Sequence, residues 1–292
     1  MTLDENMKKI LITIPHSLFP ISHGGIVRVI EEVKFLKRQN FDVHLIGNRT
    51  KSTDLTKLEN ELGIHVYSLS WASYFLSGIC GHLGLYNLGW FYNPFIKLDL
   101  EKYVSRIHPD IIQVEFVYEG LIAAKICKKY QLPFVLSEHN IESILHKSVR
   151  DLEVKICNLA NFITTVSEHD RNTLEKLNVT TQIKVIPNGV DSKKFQRNSE
   201  IRYELRKKYK IEPTDTVIVY HGTLAYLPNR VACEFLKYSL LPDLQKINPQ
   251  STAVLRRSSL APCWADLMSG RNHDEHNRNP KRYGCNQSQA SR

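Results

Sequence analysis

The amino-acid sequence predicts a doubly wound α/β fold, in which helices cover both faces of a parallel sheet. Short apolar segments alternate with stretches of helical periodicity from residue 10 to residue 186. Segment 10–14 (ILITI) is an almost continuous apolar run, which is typical of a strand that is buried on both faces. Glycine, proline and polar residues separate the segments. Parallel strands need such crossover connections, so the alternation favours a parallel sheet.

The elements of the first domain follow in chain order. Short runs rich in β-branched residues predict strands at 10–14, 43–46, 65–69, 111–115, 134–136, 162–166 and 184–186. Apolar residues that recur every three or four positions predict helices at 26–38, 96–107, 120–130 and 168–177. Residues 66–96 contain no Asp, Glu, Lys or Arg, but glycines and Pro94 interrupt them. We therefore predict a long aromatic loop before residue 96 and no membrane-spanning helix.

A second unit is predicted after the turn-forming sequence Pro187-Asn188-Gly189. A helix at 200–210, a strand at 217–220 and a helix at 229–247 restart the strand–helix pattern. One such unit is too small to form its own core. We expect a complete first domain at 1–200, and only the start of a second domain at 201–250.

The composition changes after residue 250. Residues 251–292 carry six Arg and one Lys, whereas the first 250 residues carry 10 Arg and 22 Lys. We expect an aberrant tail at 251–292, which is a disordered extension, a small added module, or sequence read in a shifted frame. A zinc-binding nucleic-acid arm is discounted because its Cys and His spacing (Cys263, His273, His276 and Cys285) fits no familiar zinc site.

Composition bounds the class of protein. The 42% hydrophobic and 24% charged residues are typical of a globular chain and exclude a fibrous or wholly disordered one. Of the net charge of +9, residues 251–292 carry +4 and the first 250 residues carry only +5, so no nucleic-acid partner is predicted. Six widely spaced cysteines without a Cys-x-x-Cys pair predict reduced thiols and a cytoplasmic location. Peripheral contact with the inner face of a membrane through residues 66–96 is a further hypothesis.

Candidate ligand-binding residues lie where predicted strands end, because open α/β sheets bind ligands at the carboxyl ends of their strands. Gly24 and Gly25 follow the first strand; they either let the backbone approach a phosphate or form a tight turn with positive φ. The sequence contains no Gly-x-Gly-x-x-Gly and no P-loop motif. His139 follows the strand at 134–136 and either faces a reacting ligand or bonds to the neighbouring loop backbone.

Two further motifs have structural as well as functional interpretations. Ser167 is a predicted N-cap, with Asp170 three positions later in the manner of a capping box, and Glu168 opens the helix. Asn188 and Gly189 form a predicted turn and a candidate hinge. Glu138, Glu142 and His146 do not form a His-Glu-x-x-His helix, so a zinc protease is excluded.

The order of these motifs resembles GT4-type (group 1) glycosyltransferases of the GT-B fold. The motifs are Gly24-Gly25, His139, the segment from Thr165 to Glu168, the segment from Val185 to Asp191, and the segment from His221 to Asn229. The resemblance covers about residues 8–250. It implies two Rossmann-like domains, an acceptor-side domain and a donor-side domain, that face each other across a cleft. It also implies retaining transfer of a sugar from a nucleotide sugar to a hydroxyl acceptor, a glycan or a lipid-linked one, without a metal ion or other cofactor.

The resemblance implies roles for individual residues. His139 would be the catalytic residue that assists the reacting sugar electrostatically. The residues that would bind the donor phosphate or sugar are Gly24, Gly25, Ser167, Glu168, Asn188, Gly189 and Gly222. The chain departs from the family because residues 224–229 supply no cation before Arg230 and the tail has no Glu-x7-Glu element. We therefore expect a chain truncated within the second domain and without full transfer activity.

A non-catalytic glycan-, lipid- or partner-binding domain is the alternative function. It is motivated by the aromatic residues of the uncharged stretch, which suit sugar faces and membrane interfaces: Trp71, Tyr74, Phe75, Tyr86, Trp90, Phe91 and Tyr92. The competing interpretation is that these aromatic side chains pack in the interior of the domain.

Overall fold

The computed structural model describes residues 7–19, 21, 24–48, 51–222, 227–257 and 267–268. The chain divides into two compact units, Met1–Asp191 and Ser192–Arg292. Each unit is described below by itself.

The first unit contains a seven-stranded sheet in which all neighbouring strands are parallel. Its strands are β1 (Lys9–Ser17), β2 (Asp42–Asn48), β3 (His65–Ser68), β4 (Ile111–Glu115), β5 (Phe134–Glu138), β6 (Phe162–Thr165) and β7 (Ile183–Val185). Their order across the sheet is β3-β2-β1-β4-β5-β6-β7. The direction of winding reverses between β1 and β4, which confirms the doubly wound α/β fold.

Helices cover both faces of this sheet. They are α1 (Gly24–Arg38), α2 (Ser52–Leu62), α3 (Trp71–His82), α4 (Tyr86–Phe91), α5 (Pro94–Ile107), α6 (Gly120–Tyr130), α7 (Glu142–Leu145), α8 (Arg150–Leu159) and α9 (Glu168–Lys176), with a 3-10 turn at Lys147–Val149. Two apolar cores result. One packs α1 and α2 on β1 to β3, and the other packs α5, α6 and α8 on the sheet. Leu11 belongs to the second core and Ile12 to the first, because successive strand residues point to opposite faces.

The aromatic stretch is helical, so the predicted loop is wrong. Ser70 caps α3 by accepting a hydrogen bond from the Ser73 amide, and Asn93 caps α5. Helical periodicity was hidden because the buried stripe of α3 is small and partly polar, with Ser73, Ser77 and Cys80 inside. The helices α7 and α8 were not predicted either, because no glycine or proline marks where they begin and end.

The second unit contains α10 (Ser199–Lys208), β8 (Thr216–Gly222), α11 (Leu227–Phe235), α12 (Leu241–Ile247), β9 (Ser251–Arg257) and β10 (Leu267–Met268). The helix predicted at 229–247 is interrupted by a π-helical turn at Leu236–Leu240. Pro242, two residues after this turn, has no backbone N–H to donate, which interrupts the regular α-helical hydrogen bonding. Leu236, Leu241 and Ala253 form the small core of this unit.

The strand β9 lies within the segment 251–292, where the composition predicts an aberrant tail. It pairs in parallel with β8 from Ser251 to Arg257, and the side chains of Ser251, Thr252 and Ala253 are buried. Averaging composition over 42 residues concealed this short β-rich segment. The remainder of the tail, apart from β10, lies outside the described residues, as do Cys263, His273, His276 and Cys285.

Candidate functional site

The carboxyl edge of the first sheet holds a buried histidine–carboxylate pair. His139 directly follows β5, and its Nε2 lies 2.6 Å from Oε2 of Glu115, the last residue of β4. Glu115 is fully buried and His139 is 9% exposed. The pairing of β4 with β5 brings these two strand ends together. Because the carboxylate binds Nε2, the other ring nitrogen, Nδ1, is left to face a ligand.

The pair continues into a polar chain beneath this edge. Gln113 donates to Glu115 Oε1 at 2.5 Å and to Glu32 Oε1 on α1 at 2.9 Å. Burial and the charge of Glu115 raise the pKa of the Glu32 carboxyl. A chain of this kind fixes the position of Glu115, and through it the orientation of the His139 ring.

Phe116 links β1 to β5 above the sheet. Its ring stacks on His139 at 4.1 Å and meets His16, at the end of β1, edge to face at 5.0 Å. Its φ of 65° is rare for an aromatic residue, and such strain is found most often at functional sites. The three rings therefore form a continuous aromatic floor from β1 to β5.

The first helix starts at the same edge. Gly24 and Gly25 form the first turn of α1 and do not have positive φ, so the tight-turn interpretation is wrong. A Cβ on Gly24 would meet no atom within 4 Å, so the start of this helix is open to an approaching group. No acidic residue lies in its first turn, and the unpaired amides there give a partial positive charge.

Arg28 lies one turn further along α1. Its guanidinium donates to Oδ1 of Asn188 at 2.9 Å, while its buried Nε has no hydrogen-bond partner among the described residues. A buried guanidinium nitrogen without a partner is costly, and an anion is its natural acceptor. The structure thus brings together Gly24, Gly25, Arg28 and Asn188.

Ser167 is the N-cap of α9, as predicted. Its Oγ accepts from the Asp170 amide at 3.1 Å and donates to Asp170 Oδ2 at 2.6 Å. In a capping box the side chain at the third helical position accepts from the backbone amide of the N-cap residue. Here the Asp170 carboxylate accepts from the Ser167 hydroxyl instead. Glu168 is exposed and forms an ion pair with Arg171 at 2.6 Å. Both side chains already have partners within their own helix.

Gly189 and Gly222 are the two remaining predicted site residues. Gly189 is exposed, and the segment at 186–191 forms no turn and has no positive φ, so the predicted Asn-Gly turn is wrong. Gly222 ends β8 in the second unit, where a Cβ would lie 2.8 Å from Nδ2 of Asn229. The loop that follows it, 223–226, lies outside the described residues.

Two sets of buried carboxyl groups were missed from the sequence. Glu119 is fully buried and accepts from the Thr13 hydroxyl, and burial raises its pKa to about 7. Glu138 is also buried, and its desolvation, together with the neighbouring Glu153 and Glu142, raises its pKa. Glu153 accepts from the amides that open α7.

The signal that could have found the site is a charge at the end of an apolar strand. Glu115 closes the run at 111–115, and Arg28 follows the apolar start of α1. A charged residue in such a place is seldom buried without a partner. Only the fold shows that the partner of Glu115 is His139. Among the described residues, the group suited to a metal ion is elsewhere, at Asp42, His44 and His65.

Comparisons with known proteins agree with this architecture. The model of Glycosyltransferase Family 4 matches residues 23–194. The structure of HepE from Anabaena in complex with UDP-glucose is 18% identical with a TM-score of 0.59, over 86% of this chain and 61% of that one. Sucrose-phosphate synthase from Thermosynechococcus elongatus is 13% identical with a TM-score of 0.61, over 85% of this chain and 62% of that one.

A glycosyltransferase from Rickettsia africae is 17% identical with a TM-score of 0.54, over 87% of this chain and 69% of that one. No curated protein sequence matches the chain. At these identities the solved structures show the GT-B fold alone, and the chain spans about three fifths of the length of HepE.

Proposed function

Because the chain belongs to glycosyltransferase family 4, we propose that it forms the acceptor-side part of an enzyme that transfers a sugar from a nucleotide sugar to a hydroxyl group. The observation that carries the proposal is the open amino end of α1 beside Arg28, at the same sheet edge as the Glu115–His139 pair. The transfer is proposed to retain the configuration of the sugar, with a glycan or lipid-linked acceptor.

The donor diphosphate is proposed to bind at the start of α1. Gly24 and Gly25 allow close approach to the backbone amides, and Arg28 supplies the positive charge. Asn188 accepts a hydrogen bond from Arg28, and we propose that it and the following residue, Gly189, border the same ligand. These dipoles and the guanidinium would stabilise the negative charge that develops on the leaving diphosphate, so this part of the reaction requires no metal ion.

His139 is proposed to contact the reacting sugar. Glu115 holds Nε2, which leaves Nδ1 to bond to a sugar hydroxyl, and the Phe116 ring holds the imidazole plane. An Nδ1 that accepts a hydrogen bond from a sugar hydroxyl would orient the sugar, and the dipole of the ring would assist the reaction electrostatically. Ser167, Glu168 and Gly222 remain proposed donor contacts through their backbone groups, since both polar side chains already have partners.

Binding of UDP and UDP-glucose by isothermal titration tests this proposal. UDP is chosen because HepE was solved with UDP-glucose. We expect weak binding, because the first unit offers the diphosphate one identified cation and the amides of one helix end. Replacement of Arg28 by Gln removes a charge-assisted hydrogen bond, which corresponds to a loss of about 10–100-fold in affinity.

Arg38→Gln is the matched control, because Arg38 is an exposed arginine at the opposite end of the same helix. It should leave the dissociation constant unchanged. Equal effects of the two substitutions, or binding of UDP that neither substitution weakens, would refute the placement of the diphosphate at α1.

A lipid-associated acceptor is favoured by the surface of α3 and α4. The helix α3 buries Ser73 and Ser77 and exposes Trp71, Tyr74 and Phe75, an inverted distribution for a globular protein. Asn93 makes the inner side polar by donating to the Ser73 carbonyl and the Ser77 hydroxyl. The competing interpretation, that the aromatic side chains pack in the interior, therefore does not hold for these three. Exposed aromatic groups of this kind suit a membrane interface.

We propose peripheral contact with a membrane through the aromatic surface that Trp71, Tyr74 and Phe75 form on α3. In the described part of the chain no helix is both long and apolar enough to cross a bilayer. Trp71 and Phe75 stack at 4.6 Å and would insert together among the lipid headgroups. Lys125, 5.9 Å from the Tyr92 ring, places a positive charge at the border of this surface.

Co-sedimentation with anionic phospholipid vesicles tests the membrane contact. Replacing Trp71 and Phe75 by Ser should reduce vesicle binding by at least about 10-fold, since each buried aromatic side chain contributes roughly 1.5–3 kcal/mol. Phe35→Ser is the control because Phe35 is equally exposed on α1. If the double variant binds vesicles as strongly as the unchanged chain, the proposal that the aromatic surface contacts the membrane is wrong.

A further inference from the structure

Three potential metal ligands meet at the edge of the sheet opposite the proposed sugar site. Asp42 and His44 lie two residues apart at the start of β2, so both face the same side of the sheet. His65 starts β3 and is paired in register with His44. One ligand atom from each of the three side chains lies within 4.8 Å of the other two. Parallel pairing thus brings residues 42, 44 and 65 to one point.

The buried nitrogen of His44 has an unmet bonding requirement. His44 is 7% exposed, and its Nε2 has no hydrogen bond of acceptable geometry, although Asp42 Oδ2 lies 3.2 Å away. A separation near 3 Å is what two ligands of one ion show when each lies about 2 Å from it. A buried nitrogen that lies this close to a carboxylate oxygen without a well-aligned hydrogen bond calls for an explanation.

The other nitrogen of the same ring is already bound. His44 Nδ1 lies 3.1 Å from the Tyr67 hydroxyl, which belongs to β3. Metal-binding histidines usually bond through their second nitrogen in this way, because that contact fixes the tautomer and the ring orientation. With Nδ1 held by the Tyr67 hydroxyl, Nε2 is the ring nitrogen that is directed at Asp42 and would bind the cation.

We propose that Asp42, His44 and His65 bind Zn²⁺ or a chemically similar divalent transition ion. Two imidazoles and one carboxylate are the ligands that such borderline ions prefer over Mg²⁺ or Ca²⁺. The rings of His44 and His65 are stacked at 4.8 Å, and exposed His65 needs only a side-chain rotation to direct its nitrogen to the ion. Water would complete the coordination.

Lys9 is the charge that opposes binding. It lies on β1 in register with Asp42, and its Nζ donates to the Ile107 carbonyl at 3.2 Å. That hydrogen bond holds the ammonium group on the α5 side. The ion would connect β2 to β3, which is an edge strand of only four residues. Its role is therefore structural: it protects an edge that otherwise frays.

Titration of the chelator-treated full chain with Zn²⁺, and with Co²⁺ as a spectroscopic probe, tests the site. We expect one ion bound by these residues and slower amide exchange in β3 when Zn²⁺ is present. Asp42→Asn and His65→Gln alter accessible ligands and should each reduce affinity by at least about 10–100-fold, with no loss of fold. Tyr67→Phe should weaken binding to a smaller extent, because it removes only the supporting hydrogen bond.

His82→Gln is the matched control, since His82 is an exposed histidine at the end of α3. It should bind Zn²⁺ like the unchanged chain. Binding that survives the double change Asp42→Asn with His65→Gln would place the ion elsewhere in the chain and overturn the proposal. Absence of Zn²⁺ binding by the unchanged chain, or amide exchange in β3 that does not respond to Zn²⁺, would also overturn it.

Discussion

Replacing Glu119 by Gln is expected to stabilise the protein at pH 8 by about 3 kcal/mol. Glu119 is fully buried, its only hydrogen-bond donor among the described residues is the Thr13 hydroxyl, and its Oε1 has no partner. Burial raises its pKa from 4.5 to about 7, and each pKa unit corresponds to about 1.4 kcal/mol. Gln has the same shape, can still accept from Thr13 and never ionises.

The pH dependence follows from the direction of this shift. Because the folded-state pKa of Glu119 is raised, its contribution to stability is fully present below about pH 4.5. It is lost as the pH rises towards 7, where the buried carboxyl must ionise, and it does not recover above that value. The difference in unfolding free energy between Glu119→Gln and the unchanged chain should therefore be near zero at pH 4.5 and largest at pH 8.

Urea unfolding at both pH values measures this difference. Using the difference removes the contribution of the other buried carboxyl groups, which both proteins share. Glu61→Gln, on the exposed surface of α2, should be within about 0.5 kcal/mol of the unchanged chain at both pH values. A Glu119→Gln variant that is no more stable than the unchanged chain at pH 8 would contradict the prediction.

Replacing Phe134 by Ala is expected to cost about 3–5 kcal/mol of unfolding free energy. Phe134 starts β5, is 1% exposed and belongs to the larger apolar core. Its ring lies 3.7 Å from the position that a Cβ of Gly120 would occupy, and Ile156 fills the other side of that glycine. With helix α6 packed this closely on β5, the neighbours cannot move in to fill the cavity.

Phe35→Ala provides the contrast, because Phe35 is 53% exposed on α1. It should change the unfolding free energy by less than about 0.5 kcal/mol when measured in the same urea titration. Similar losses for the two variants would show that β5 is not part of a close-packed core.

The strands β1 and β2 of the first unit could be predicted because their interiors are buried on both faces. A run such as 10–14 has no polar position to obscure it, and the structure extends this strand only to Lys9–Ser17. The helix α3 could not be predicted, because its inner side is polar and its outer side is aromatic. Periodicity identifies a helix only when its apolar face is the buried one.

The second unit shows a different source of error. Composition placed the end of the ordered pattern at residue 250, whereas β9 continues from Ser251 to Arg257 beside β8. A change in average composition can be recognised only over many residues. A strand that pairs with an existing strand needs only a few residues that adopt an extended conformation and have buried side chains. The pairing of β9 with β8 therefore could not be recognised from the average composition of residues 251–292.

The sequence by itself determined the fold class, the family resemblance and the place of His139, Ser167 and the glycines at strand ends. Each of these depends on local order along the chain, which periodicity and spacing record directly. The tertiary structure alone decided the partners: Glu115 for His139, Asn188 for Arg28, and His65 for Asp42 and His44. These contacts join residues 20 to 160 positions apart, and only strand order and register bring them together.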